Sequence, residues 1–180
     1  LFDIEHVEVK SGLIRTAGLP RSRFFIWSDP NKKRDLVVFI GEAQPPIGKY
    51  AFCTQLIEFA KELGVEQMIT FAAMATQMHP AHESRVFAAA TDETSLSELL
   101  QLEVDILEDG HISGLNGLLL GAAADAGLKG TCLLGEMPHI FAQLTFPRAS
   151  LAVLKVFQSI AKLDIDLNPL EEQAREADEQ

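Results

Sequence analysis

Leu36-Val37-Val38-Phe39-Ile40-Gly41 is an unbroken apolar run. Such a run is what a strand buried on both faces of a parallel sheet requires. A loop from Glu42 to Ile47 follows, carrying Pro45-Pro46, and Gly48 precedes a helical pattern. From Lys49 to Leu63, apolar residues at Phe52, Leu56, Phe59, Ala60 and Leu63 recur at helical spacing, and Gly64 supplies the stop. Val65 to Met74 returns to strand through Met68-Ile69-Thr70-Phe71. Strand, helix and strand in succession predict a βαβ unit with a right-handed crossover.

Upstream, His6-Val7-Glu8-Val9 alternates and Gly12-Leu13-Ile14 begins a second short extended piece. Phe24-Phe25-Ile26-Trp27 favours strand and ends in the turn composition Ser28-Asp29-Pro30-Asn31. Lys32, Lys33 and Arg34 follow, as at a loop apex. Downstream, strands are expected over Arg85–Ala90, Val104–Leu107 and Lys129–Gly135. Helices are expected over Thr94–Leu102, Asn116–Ala126 and Pro147–Lys162, the last with proline in its first turn. Asn168-Pro169 opens a final acidic helix or tail over 169–180, with asparagine as cap. Alternating strands and helices predict one α/β domain spanning 1–180. Its architecture is a three-layer α/β/α sandwich with a mostly parallel sheet, and the first strands extend that sheet antiparallel at one edge.

The 180 residues suffice to bury a core without disulfides or metals. Cys53 and Cys132 sit in apolar runs and read as small buried hydrophobes in a reduced compartment. With 26 acidic and 15 basic residues the formal net charge is −11, which repels phosphate backbones and anionic membrane surfaces. Neither nucleic acid nor membrane is an expected partner. No apolar run reaches the roughly 18 residues of a membrane span, so a cytoplasmic location is the default. The chain opens in strand without an initiator methionine, and the N-terminus reads as trimmed.

Ligands of open parallel sheets bind beyond the carboxyl ends of the strands, and four loops fall there. Glu42 follows directly on a strand, where a carboxylate can orient a hydroxyl or act as a base, or simply bond the next loop. Gly48 opens a helix whose free N–H groups suit an anion, but no GxGxxG or GKS/T accompanies it. His79-Pro80-Ala81-His82-Glu83 has the wrong spacing for a zincin helix, and no metal is expected. Asp109 to Gly117 contains His111 and Asn116 among three glycines, fitting either a phosphate at a helix start or a tight turn with Asn116 as cap. Glu136 ends a strand much as Glu42 does, and His139 follows it. Two carboxylates facing one cleft would be a catalytic arrangement. No GxSxG and no cysteine beside a base is present, so no nucleophilic enzyme and no cofactor are indicated.

These loops also carry a likeness. Ile40-Gly41-Glu42 to Pro45-Pro46, then Leu63-Gly64-Val65, is its first part. Gly110-His111-Ile112-Ser113-Gly114-Leu115-Asn116-Gly117-Leu118-Leu119-Leu120 is its second. Leu133-Leu134-Gly135-Glu136-Met137-Pro138-His139 with Pro147-Arg148-Ala149-Ser150 is its third. Over most of Leu36 to Asp166 the chain resembles the proteasome assembly chaperone 2 family. The resemblance implies an α/β/α fold similar to nucleoside phosphorylases and related hydrolases. It implies a protein-binding, chaperone-like homo-oligomer, a trimer being one such assembly, with protein partners or itself as ligand. A nucleoside-like small-molecule binder, or a hydrolase- or phosphorylase-like enzyme, with Glu42, Gly48, His111, Asn116, Glu136 and His139 as the ligand-binding residues, is the alternative. A purely structural subunit, joined through Phe141 to Phe146, is a third.

Overall fold

A computed structural model describes residues 7–16 and 18–178. The chain divides into two compact units, Leu1–Val65 and Glu66–Gln180.

In the first unit, β1 (Val7–Lys10) and β2 (Leu13–Thr16) form an antiparallel hairpin. His6, expected to begin β1, lies outside the described residues. The hairpin turns through Ser11 and Gly12, both at positive φ, a backbone twist that matches the right-handed twist of paired strands. β3 (Ser22–Trp27) and β4 (Leu36–Gly41) form a second antiparallel pair in register Phe24↔Phe39 and Phe25↔Val38. Helix α1 (Lys49–Glu62) covers one face of it: the Phe24 ring lies 4.9 Å from Phe59, and Phe39 lies 6.4 Å from Phe52.

This corrects the reading of β4 as a strand buried in a parallel sheet. The cause is the turn before it. The Asp29 carboxylate accepts the N–H groups of Asn31, Lys33 and Arg34, while Asp35 accepts the Asp29 N–H at 2.9 Å. Those bonds, Asn31 first, hold Asp29 below its ordinary pKa. They fix the turn that returns β4 antiparallel along β3, which is its ladder partner among the described strands. The strands form three sheets, β1–β2, β3–β4 and one of four strands, instead of one continuous sheet.

The second unit holds that four-stranded sheet. Its strands are β5 (Gln67–Thr76), β6 (Val86–Ala90), β7 (Asp105–Ile106) and β8 (Lys129–Pro138), in the order β5-β8-β6-β7. β5 runs parallel to β8 and β6 parallel to β7, while β6 is antiparallel to β8. The sheet is therefore central and mostly parallel.

β8 is paired on both edges, and its side chains alternate between two cores. Leu133 packs with Val86, Ala88, Leu99 and Val153, on the side of α2 (Glu93–Leu99) and α4 (Pro147–Ala161). Cys132 and Leu134 pack with Leu120 of α3 (Gly114–Asp125) on the other. This period of two across a covered strand makes three layers. Both cysteines are buried and unbridged, and burial pushes their thiols up in pKa.

Asp92 caps α2 by accepting the Ser95 N–H at 2.9 Å, so that helix starts at Glu93, one residue before the expectation. Helix α5 spans Asn168–Asp178, residues 179–180 of the expected 169–180 stretch lying outside the described residues, and Leu167 O, not an Asn168 cap, receives the Glu171 N–H. Phe141 and Phe146 stack on each other at 5.8 Å, while Ile140 and Leu144 stay exposed.

Candidate functional site

Because β5 and β8 are parallel, their carboxyl ends emerge side by side, with Thr76 opposite Pro138. The chain then loops through residues 77–85 into β6, which returns beside β8. This brings Thr76, Arg85 and Glu136 together. Glu136 is 2% exposed. A buried carboxylate needs a cation and full hydrogen bonding, and Arg85 supplies both. Its Nε donates to Oε2 at 2.8 Å and its Nη2 to Oε1 at 2.8 Å, a bidentate fork. Thr76 Oγ1 donates to Oε1 at 2.7 Å. Arg85 reaches further, with Nη1 to Asp105 at 3.1 Å and the guanidinium 5.0 Å over the Phe87 ring.

The electrostatics follow from that geometry. The Arg85 hydrogen bonds push Glu136 down to about 2, against burial, which acts in the opposite direction; Thr76 and the Arg85 charge assist. Arg85 is raised in turn, by Glu136 first. A carboxylate so held neither takes nor gives a proton near neutrality.

The consequence for stability has a definite sign. Glu136 is depressed from its ordinary 4.5 to about 2, so the pair's contribution is present above pH 4.5 and is lost as pH falls towards 2. Acid unfolding followed by circular dichroism is expected to show that loss between pH 4.5 and 2 in the wild type. A Glu136→Gln variant should lack it, and superimposable acid profiles would refute the assignment.

A shallow depression of about 390 Å³ adjoins the pair, lined by Thr76, Gln77, Met78, His82, Glu83, Arg85 and Glu136. Its loop is pinned by Arg148 of α4, whose Nη1 donates to Pro80 O at 3.0 Å and His82 O at 3.3 Å. The His79 and His82 rings stand 5.6 Å apart, and His79 Nδ1 accepts the Ala81 N–H. Among the described residues no group of three or more potential ligands forms a metal site. A larger open depression of 580 Å³ lies between α4 and α5, beside the Lys155–Glu171 ion pair.

Of the ligand-binding candidates Glu42, Gly48, His111, Asn116, Glu136 and His139, Glu136 lines the smaller depression, as do His82 and Glu83 of the loop weighed above as a metal site. Glu42 belongs to the first unit, where Oε1 receives Arg23 Nη2 at 2.9 Å and Oε2 the Arg21 N–H at 2.9 Å. Gly48, at φ 68, is the N-cap of α1 in the same unit. Asn116 is not the cap of α3: Ser113 is, and Asn116 sits in the first turn, donating Nδ2 to Phe71 O at 2.7 Å. That bond ties α3 to β5. His111 is exposed in the loop before α3, and His139 is exposed in a single 3₁₀ turn, His139–Phe141. β6 runs against β8 and β7 follows β6, so the chain leaves β7 in the direction opposite to β5 and β8.

Thr76, Arg85 and Asp105 were not singled out by sequence. One signal was available: a glutamate ending a strand read as buried demands a cation, and Arg85 opens the strand next to it.

Comparison with known proteins agrees with this fold. PbaB of Pyrococcus furiosus, described as an archaeal proteasome activator, superposes with a TM-score of 0.79 at 29% identity, over 98% of this chain and 75% of that one. PbaA of the same organism, described as an archaeal homolog of proteasome-assembly chaperone, gives 0.75 at 27% identity, over 97% and 68%. An uncharacterised protein of Methanocaldococcus jannaschii is 28% identical over 145 residues, which are 79% of this chain and 55% of that protein. The chain thus spans about half the length of this relative. No helix among the described residues is long and apolar enough to cross a membrane. With its sequence matched by the PAC2 family model over residues 4–180, the chain belongs to the PAC2 family.

Proposed function

We propose that this chain is a chaperone-like protein that acts by binding other proteins, with proteasome subunits as the partner class. The observation that carries the reading is the family match over 4–180 together with the likeness to PbaB and PbaA. The single family span also supports treating both units as one module. We further propose a fold similar to nucleoside phosphorylases and related hydrolases, a homo-oligomer such as a trimer, and a cytoplasmic location. The small-molecule reading around Glu42, Gly48, His111, Asn116, Glu136 and His139 has less support. Each of its two carboxylates is already held by an arginine side chain.

The test is co-purification. Tagged protein in a native lysate of its own organism is expected to retain proteasome subunits at stoichiometric level. Recovery of its own copies alone would overturn the reading.

A further inference from the structure

Asn116-Gly117 is a dipeptide with a chemistry of its own. When the Gly117 nitrogen reaches the Asn116 side chain it attacks Cγ. The new N–Cγ bond closes a succinimide, the Cγ–Nδ2 bond breaks, and ammonia leaves with the proton from Gly117. Water then opens the ring at either carbonyl, giving aspartate or isoaspartate. A following glycine suits the reaction, because no side chain hinders the attacking nitrogen. Of the chain's three asparagines, Asn116 alone precedes glycine. Asn31 precedes Lys32, and Asn168 precedes Pro169, which has no N–H to give up.

Packing keeps the glycine in place. A Cβ at Gly117 would collide with the main chain of Ile112, so a substitution that slowed the reaction would break this corner. The fold suppresses the chemistry by geometry instead. Asn116 lies in the first turn of α3, after the Ser113 cap. A helical ψ near about −42° is not the torsion that brings the Gly117 nitrogen onto Cγ. By helix geometry, the first intrahelical bond runs from the Gly117 N–H to the carbonyl of that cap. The leaving nitrogen is engaged as well, since Asn116 Nδ2 donates to Phe71 O at 2.7 Å. Ile112 packs against the cluster of Leu120, Cys132 and Leu134, which holds the preceding segment onto the helix. All these contacts lie within the second unit.

We propose that Asn116-Gly117 is a latent deamidation site, held unreactive by the start of α3 and its tie to β5, and released when that corner opens. Water is its co-reactant, and the site is independent of the protein-binding reading above. The reaction is also irreversible damage to the fold. Aspartate replaces the amide donor with an acceptor facing the Phe71 carbonyl, and isoaspartate adds a methylene to the main chain where Gly117 leaves no room for a methyl. A negative charge in the first turn of a helix is favourable, but the lost donor to a strand carbonyl is the larger effect.

The experiment ages the full chain in mildly alkaline buffer, folded and in urea, and follows residue 116 by peptide mapping and mass spectrometry. Conversion of amide to acid at Asn116 is expected to be at least about tenfold slower in the folded protein, because it waits for local opening. Equal rates in the two conditions would overturn the protection. The product is tested separately with Asn116→Asp, whose urea midpoint is expected below that of wild type. A midpoint at or above wild type would overturn the claim that deamidation cuts the tie between α3 and β5. The folded and unfolded rates are measured on the wild-type chain, so the protection is tested even if the variant fails to fold.

Discussion

Replacing Gly117 by alanine is expected to destabilise the protein by about 3 kcal/mol or more, because the added methyl meets backbone that cannot yield. A Cβ built at Gly117 falls 1.9 Å from Ile112 O and 2.8 Å from its carbonyl carbon. Both positions belong to the compact start of α3, where the chain before the helix doubles back against its first turns. A side chain could swing aside; a carbonyl in this corner moves only if the helix shifts. The shift would strain the Asn116–Phe71 bond and the packing of Ile112 against the Leu120 and Leu134 cluster. The same helix provides an opposite control. Gly121 has nothing within 4 Å of an added Cβ, so Gly121→Ala is expected to stabilise by about 0.5–1 kcal/mol through helix propensity alone. Chemical denaturation of the two variants should move the midpoint in opposite directions. Movement of both the same way would contradict this account of the corner.

Leu133→Ala is the second large effect, expected at about 2–5 kcal/mol. Leu133 is fully buried at the middle of β8, in the core formed with Val86, Ala88, Leu99 and Val153. Strands bear on it from both sides and helices close the layer above, so little can collapse into the space left by three lost carbons. A neighbouring truncation gauges the cavity contribution: Cys132→Ala removes only a sulfur from the opposite core and should cost much less. Urea midpoints of both variants check the difference. A Leu133→Ala midpoint close to wild type would mean that the layer is not packed as described.

The second unit was the more legible part of the sequence. Pro147 to Ala161 and Lys129 to Gly135 announce themselves by helical spacing, by proline at a first turn and by a continuous apolar run, and local chemistry decides those features. β4 misled for the opposite reason. Leu36 to Ile40 reads as fully buried whether helices lie on both faces or one face is open, since apolar content carries no record of what covers it. Only the carboxylate-fastened turn at Asp29 decides that β4 returns along β3, and its bonds run mostly to backbone groups. At the candidate site, Glu136 was visible as a carboxylate ending a strand. Its partners were not, because Arg85 and Thr76 lie 51 and 60 residues away in sequence and meet it only through strand order. His111 and Asn116 entered the same reading through an assumed parallel direction for every strand, which β6 breaks.

The parallel pairing of β5 with β8 also governs the order in which this protein takes shape on the ribosome. Gln67 finds its ladder partner at Lys129, so β5 emerges about 60 residues before the strand that completes it. During that interval Met68, Ile69 and Phe71 have no sheet to enter, whereas the β3–β4 hairpin can close as soon as its short turn is made. The last strand synthesised is also the central one, and β5, β6 and their flanking helices can lock only once β8 has threaded between them. The span of translation between residues 67 and 138 is therefore when this chain is most exposed to aggregation.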